Sequence, residues 1–433
     1  MNKVPDERSS VMRASAVSRR KFLHSAVAAA ATISLVPRHV IGQGLLAPSD
    51  MITSANIGLG GPARGVGCDR VLARCDVRRD KLGGDPDPKK GLYLDFRDVL
   101  ERDDIDAIAV GSTEQWHAIQ IIAALRAGKD VFGEKPMSST IREALAIRNA
   151  VKRYGRIFQH GTQRTASKTT QYARDLVQKG RLGKIIGAGV VSCDHDKLAS
   201  QFLLPSEPLN ANMLDWNMWL GPAPWRPFNR FAFGGVLAWH NHIDFGRGMV
   251  NGGGVHPNDA VRSILGRDNE SPVAIYPADG KEYKSITTWK YADGTFIQVG
   301  FDGLPIPQEV LARFSGDFYS GPLAIIGTEG KIALSSQKSF IWSDPPELAN
   351  GLADFEPPHD VSIYKEWHRC IRTRERTLCN EDAAYQTEFL CHSCEIAQRV
   401  KRPLRWDAVG EEFIDDAEAN RLMDKPYRAP WHL

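Results

Sequence analysis

Glu134-Lys135-Pro136 follows the short apolar run Val131-Phe132, which reads as a buried strand. The carboxyl ends of parallel strands open onto the crevice where such sheets bind ligands, so a lysine placed there can bring its ammonium to a reacting oxygen. The bland alternative is a lysine whose stem lies along the surface and whose head stays in water. Upstream, Gly58-Leu59-Gly60-Gly61-Pro62-Ala63 fits the pattern G-x-G-x-x-A. In that pattern Gly58 makes the turn, Gly60 and Gly61 let a pyrophosphate approach the backbone, and Ala63 packs helix on strand. Asp76, ending the run Val71-Leu72-Ala73-Arg74-Cys75, can accept hydrogen bonds from ribose hydroxyls, which favours NAD. Arg78 and Arg79 just beyond it could neutralise a 2'-phosphate, which keeps NADP open.

The elements that must position these groups are read from periodicity and breakers. Met51–Ile57 and Val71–Asp76 read as strands, Asp95–Arg102 as a helix, Asp106–Val110 as the fourth strand, and Ala118–Ala127 as a helix stopped at Gly128. Ile141–Tyr154 reads as another helix and Arg156–Gln159 as the last strand of this half. Ser112 and Thr113, small residues in the loop after the fourth strand, let the backbone approach a cofactor. Only the seven residues Arg64 to Arg70 separate Ala63 from the second strand, where a crossover normally takes roughly a dozen. The first helix is therefore expected to be a single turn or the cofactor site to be degraded.

This order of elements, ending in Glu-Lys-Pro, resembles the Gfo/Idh/MocA oxidoreductases, and the likeness runs from about Asp50 to Leu433. It implies an α/β Rossmann-type dinucleotide-binding domain followed by an α+β domain with a predominantly antiparallel open-faced sheet. The expected division is 1–45 signal and linker, 50–165 cofactor domain, 166–433 substrate domain with a C-terminal strap. In the second half, Ile185–Cys193, Ser285–Ala292, Thr295–Phe301, Leu323–Gly327, Lys331–Leu334 and Phe340–Trp342 read as strands, with turns at Asp293-Gly294 and Glu329-Gly330.

The resemblance also assigns residues. Lys135 becomes the catalytic lysine beside the nicotinamide, with Glu134 at the cofactor. Trp116 and His117 match T-P-x-x-W-H and border the nicotinamide end, or else open the following helix and pack on the sheet. Gln163 reaches back to the cofactor from the loop Gly161–Arg164, and Arg164 adjoins the substrate. Gly254-Val255-His256-Pro257-Asn258-Asp259 resembles G-x-H-x-x-D, which makes His256 the acid/base on the substrate hydroxyl and Asp259 the acid that orients it. An imidazole suits that proton transfer. Dehydrogenase members carry an aspartate four residues before this histidine; here the position is Gly252. Asp215-Trp216-Asn217-Met218-Trp219-Leu220-Gly221-Pro222-Ala223-Pro224 resembles a motif of exported members, and Trp219 and Arg226 suit a sugar ring or equally a core. His240 matches a pocket position. On a strand, His240, His242 and Asp244 would share a face able to hold a divalent metal, but an exposed turn-like cluster is the preferred reading and no metal is expected.

Composition limits the remaining possibilities. The 433 residues carry a formal net charge of +3 from 55 basic and 52 acidic side chains, so nucleic acid is not an expected partner. A small carbohydrate-like substrate and a homo-oligomer pairing through the second sheet are expected instead. Ser18-Arg19-Arg20-Lys21-Phe22-Leu23 and the alanine-rich run to Val36 read as a twin-arginine export signal, implying a periplasmic or otherwise exported protein with no membrane span beyond it. Cys391 and Cys394, spaced like a metal or redox pair, read as buried helix thiols. Three functions stay open: an NAD(P)-dependent oxidoreductase on a sugar or polyol hydroxyl; a redox-neutral cleavage or epimerisation with tightly held NAD; and a non-catalytic sugar or cofactor binder.

Overall fold

The computed structural model describes residues 47, 50–191, 198–201, 203–230, 239–281, 285–313, 322–336 and 340–433. The expected export signal lies outside the described residues, as do Ser192 and Cys193 at the end of one expected strand. Both sheets lie in one compact unit, Ile52–Leu433.

The first sheet is parallel throughout. Its strands are β1 (Thr53–Ile57), β2 (Arg70–Cys75), β3 (Leu92–Tyr93), β4 (Ala107–Val110), β5 (Asp130–Gly133) and β6 (Phe158–His160), in the order β3-β2-β1-β4-β5-β6. Every residue of β4 and β5 is buried, as expected where helices cover both faces. Register decides where the site falls. Cys75, Ile57, Val110, Gly133 and His160 pair in one row. The residues that follow them, Asp76, Gly58, Gly111, Glu134 and Gly161, therefore leave the sheet together at its carboxyl edge.

The expected crossover after β1 is a single 3-10 turn, Pro62–Gly65. The helix Glu114–Arg126 starts four residues before the expected Ala118, so Trp116 and His117 sit in its first turn. Thr113 in extended conformation ends the loop and lets helical geometry begin at once. Ile141–Tyr154 forms as expected: the Thr140 side chain caps the amide of Glu143, and Gly155, at φ +61°, closes the other end.

The second sheet has nine strands in the order β13-β12-β11-β7-β10-β9-β8-β14-β15. These are β7 (Ile185–Val190), β8 (Ala274–Pro277), β9 (Thr287–Lys290), β10 (Phe296–Val299), β11 (Pro322–Gly327), β12 (Lys331–Ser335), β13 (Ile341–Asp344), β14 (Leu404–Asp407) and β15 (Glu412–Phe413). Only β7 and β10 run parallel; the other pairs are antiparallel, with the hairpins β9-β10 and β11-β12 at the two expected turns.

One helix ties the halves together. Glu381–Val400 is buried without interruption from Ala383 to Ala397, through Cys391 and Cys394, and it packs on Ile141–Tyr154, on Val255–Ile264 and on β8. Cys391 and Cys394 are both fully buried in it. The helix Ile363–Thr373 returns to the first sheet, where Trp367 lies edge-on to Phe132 of β5 and Arg374 pairs with Asp130. The C-terminal segment is a strap: Tyr427 donates to Glu143, Arg428 donates to the Gly221 carbonyl, and Trp431 meets Trp116 edge-on. Among the described residues no helix is long and apolar enough to cross a membrane.

Candidate active site

A cavity of about 590 Å³ opens at the carboxyl edge of the first sheet. One end is made by the turn after β1. Gly58 has φ +82°, and a Cβ there would fall 2.3 Å from the Ser112 amide nitrogen, so the turn and the loop after β4 touch backbone to backbone. Gly60 and Gly61 line the cavity, and a Cβ on Gly60 would meet nothing within 4 Å. Ala63 is buried beneath Gly111, where an added Cβ would lie 2.3 Å from its own. Asp76 also lines the cavity, its carboxylate held by the amides of Leu59 at 2.7 Å and Arg78 at 2.9 Å. Burial raises its pKa against those amides. A carboxylate so held retains lone pairs for ribose hydroxyls. Arg78 is bound to Asp80 at 2.7 Å, which offsets its charge for a 2'-phosphate, and Arg79 does not line the cavity.

The other end carries Glu114, Glu134, Lys135, Trp219, Trp239 and His240. Lys135, in cis linkage to Pro136, donates from Nζ to the Gly252 carbonyl at 3.0 Å. Burial lowers its pKa; Glu114 and Glu134 oppose the shift and Arg164 adds to it. Glu134 is raised by burial, with Lys135 and His117 pulling the other way. Ser112, Thr113, Trp116 and His117 line the cavity as well. Trp116 Nε1 donates to the carbonyls of Met218 and Trp219, and His117 bridges the carbonyls of Pro136 and Ser112. The pair thus opens the helix and lines the cavity.

Other expected site residues stand elsewhere. His256 lies within the first turn of the helix Val255–Ile264, buried and outside the cavity lining. Burial, with the positive charges of Lys135 and Arg164 close by, holds its pKa well below the usual histidine range. Asp259 is fully buried among Thr165, Thr387 and Arg262, a structural network rather than a pocket wall. Arg164 is buried and Gln163 is exposed, and neither lines the cavity. Arg226 is turned away from it: Nη1 approaches His242 Nε2 at 2.8 Å, Nη2 pairs with Asp244, and the guanidinium lies 5.3 Å over Phe245. His240–Asp244 is a series of tight turns, as preferred, so the strand alternation does not apply, but His240 and His242 are buried rather than exposed. His240 faces Glu114 while His242 faces Arg226. Among the described residues no cluster of three or more metal-ligating side chains occurs.

Glu114 was not singled out in the sequence. An acid in a first helical turn signals only a favourable helix dipole, and nothing local points to a histidine 126 residues away.

A parallel sheet whose glycine turn and strand-end acid share one cavity with a lysine defines a dinucleotide-binding domain joined to a substrate domain. The chain belongs to the Gfo/Idh/MocA oxidoreductase family: residues 199–433 match its C-terminal alpha/beta domain and residues 85–162 its NAD-binding Rossmann fold. A glycosyl hydrolase family 109 protein of Shewanella baltica is 30% identical over 173 residues, covering 32% of this chain and 37% of its own. The match thus spans little over a third of that relative. A 1,5-anhydro-D-fructose reductase of Ensifer adhaerens is 27% identical over 229 residues, covering 53% of this chain and 56% of its own. In fold, a levoglucosan dehydrogenase solved with NADH and levoglucosan superposes with a TM-score of 0.54 at 14% identity, over 82% of this chain and 99% of that one.

Proposed function

We propose that this protein is an NAD-dependent oxidoreductase acting on a hydroxyl of a sugar or polyol. The observation that carries the reading is the single cavity holding Gly60, Gly61 and Asp76 at one end and Lys135 and Trp219 at the other. The residues fit the cofactor: open space at the paired glycines for a pyrophosphate, a fixed carboxylate for the ribose, and a lysine beyond them. When bound, the nicotinamide supplies the hydride chemistry. Lys135 stabilises the negative charge that develops on the substrate oxygen, and Trp219, stacked on Trp216 at 4.8 Å, offers a ring face to the sugar. The family likeness assigns His256 to the same proton path; it is buried outside the cavity lining, with the charge of Lys135 close enough to lower its pKa. The names of the relatives, which speak of anhydro sugars and levoglucosan, support the substrate class.

The test is a panel of aldohexoses, N-acetylated glycosides, inositols and 1,5-anhydro sugars, followed at the nicotinamide absorbance band with added NAD. A second reading, redox-neutral glycoside cleavage with retained cofactor, is favoured by the name of the Shewanella relative. It requires bound nucleotide after purification and product without net absorbance change. Absence of nucleotide binding together with no turnover would leave a non-catalytic binder. NADP is the less favoured cofactor because Arg78 is already paired. Export in folded form through the twin-arginine route, and subunit pairing through the second sheet, belong to the same proposal and are supported by the Arg19-Arg20 motif and the family likeness respectively.

A further inference from the structure

The wall of the cavity that carries Met218 and Trp219 cannot hold its own shape. It is the five-residue helix Trp216–Leu220, followed by Gly221-Pro222-Ala223-Pro224. A helix that short is not stable alone, and the two prolines remove amide donors from the segment behind it. The carbonyls of this stretch must therefore find donors elsewhere. Two places supply them. From the cofactor domain, Trp116 Nε1 donates to the carbonyls of Met218 at 2.9 Å and Trp219 at 3.2 Å, and Gln115 Nε2 donates to that of Trp219 at 3.1 Å. The other place is Arg428 of the C-terminal strap.

Arg428 engages the stretch with its whole guanidinium. Nε donates to the carbonyls of Gly221 at 2.9 Å and Ala223 at 3.1 Å, and Nη1 to the Asn217 side-chain oxygen at 2.7 Å. Nη2 donates to the carbonyls of Gly221 at 2.7 Å and Asn217 at 2.9 Å, and the Arg428 amide to that of Pro222 at 2.9 Å. A planar fork with fixed donor directions sets the geometry of such a turn, which a point charge on a flexible stem does not. The strap is itself tied to the cofactor domain on either side of this residue. Tyr427 donates to Glu143 at 2.8 Å, and Trp431 meets Trp116 edge-on with 4.6 Å between centroids. Trp116 also lies against Gly221, where an added Cβ would fall 2.2 Å from its Cε2.

We propose that Arg428 is a positioning residue for the substrate pocket, fixing through the carbonyls of Asn217, Gly221, Pro222 and Ala223 the short helix from which Trp219 meets the sugar. The inference rests on the oxidoreductase reading, with a sugar or polyol at the Trp219 end of the cavity. Arg428 does not line the cavity, so it acts only through the wall. Trp219 is stacked on Trp216 at 4.8 Å, with 9° between the rings, and both belong to that helix. Displacing the helix therefore moves the indole relative to Lys135. At the dinucleotide end, Asp76 is held by the amides of Leu59 and Arg78 instead.

The test measures sugar and cofactor affinity separately. The tightest-binding panel sugar is titrated calorimetrically into NADH-loaded protein, which holds no hydride acceptor, so binding is read without turnover. Arg428→Ala is expected to weaken the sugar about tenfold and NADH, by fluorescence titration, less than about twofold. In turnover its KM should rise about tenfold with kcat within about threefold, because a wall contact is made equally in ground and transition states. Trp219→Ala should weaken the sugar at least as much, and the double variant should be no more than about threefold weaker than Trp219→Ala, since Arg428 acts through that helix. Arg428→Lys, which keeps the charge but loses the fork, should weaken the sugar about threefold, and it is read on the same criteria if Arg428→Ala does not fold. Sugar affinity within about twofold of the wild type in both Arg428 variants would overturn the role. So would fully additive losses in the double variant, an equal loss of NADH affinity, or a lowered kcat with KM unchanged. Lys135→Met separates the two failures. If it turns over like the wild type, the oxidoreductase reading falls while the affinity ratios still decide on Arg428. If the wild type binds none of the panel sugars, both fall.

Discussion

The ammonium of Lys135 donates to the carbonyl of Gly252 at 3.0 Å, joining the end of β5 to the segment that leads into the helix carrying His256. Lys135→Met removes the charge at the pocket while keeping an unbranched stem. Turnover should fall by at least 100-fold with NADH affinity retained, since in the proposed reaction the lysine acts on the reacting oxygen and not on the dinucleotide. Stability carries a separate signature. Burial depresses the folded-state pKa of Lys135 below its unfolded value of 10.5. In that window the unfolded chain binds more protons than the folded one, so this contribution to stability rises with pH. In cofactor-free protein the penalty is complete below the folded-state pKa and fades as pH rises toward 10.5. Denaturation of wild type and Lys135→Met across that range should show the wild type gaining on the variant. A parallel pair of curves would mean that the lysine is solvated.

Much of this site was legible because its parts are local. Glycine turn, strand-end acid and Glu-Lys-Pro each occupy a few consecutive residues, and a parallel register brings them to one edge without further information. The hairpins at Gly294 and Gly330 were legible for the same reason. What failed were inferences from residue type. Arg226 looks like a sugar ligand, but Asp244 and His242 reach it first. The His240–Asp244 segment turns as preferred, but its two histidines are buried rather than exposed. Gly252 looked like a lost carboxylate, and only the fold reveals the ring in its place. The strands β8, β14 and β15, of at most four residues each, lie outside the expected set, whereas the equally short β9 and β10 are marked by the glycine turn between them.

Asp76 sets a prediction on cofactor choice. Its oxygens are fixed by two backbone amides and face the cavity, while Arg78 is bound to Asp80. Asp76→Ala should weaken NADH by roughly 10- to 100-fold, the worth of one or two charge-assisted hydrogen bonds. NADP should bind the wild type less tightly than NAD, because a 2'-phosphate meets the Asp76 carboxylate and an arginine already neutralised. Equal affinities in parallel titrations would remove the argument.

Arg226 is expected to matter for folding more than for substrate. Breaking a largely buried ion pair by removing one partner costs about 3–5 kcal/mol, because Asp244 is left without its charge partner. Arg226→Ala should therefore shift the urea midpoint strongly, and KM only through that loss. Trp225, beside it in sequence and 66% exposed, supplies the control. Trp225→Ala should change neither. A stable Arg226→Ala variant with a raised KM would return the arginine to the substrate.

The last prediction concerns how Lys135 is held. Immediately after Lys135-Pro136, the amide of Met137 and the hydroxyl of Ser138 donate to the two oxygens of Glu388, at 2.8 Å and 3.1 Å, deep on the helix Glu381–Val400. His160, at the end of β6, and His392, one turn along the helix, each approach that carboxylate at 3.3 Å. Burial alone would raise the Glu388 pKa, but the hydrogen bonds of the two histidines outweigh it and bring it down to about 2 from 4.5. A carboxyl depressed in the folded state stabilises the protein above its unfolded pKa and loses that contribution as pH falls toward the folded one. The window is 4.5 down to about 2, and the contribution at neutral pH is on the order of 3 kcal/mol. Glu388→Gln should be less stable than the wild type by about that amount at pH 7, with the gap closing as pH falls through the window. Because the same carboxylate fixes the backbone that carries the lysine, kcat should drop about tenfold or more while NADH affinity holds. A stability gap unchanged down to pH 3 would show that Glu388 acts through packing rather than charge. Full activity in the variant would show that the lysine is held by β5 alone.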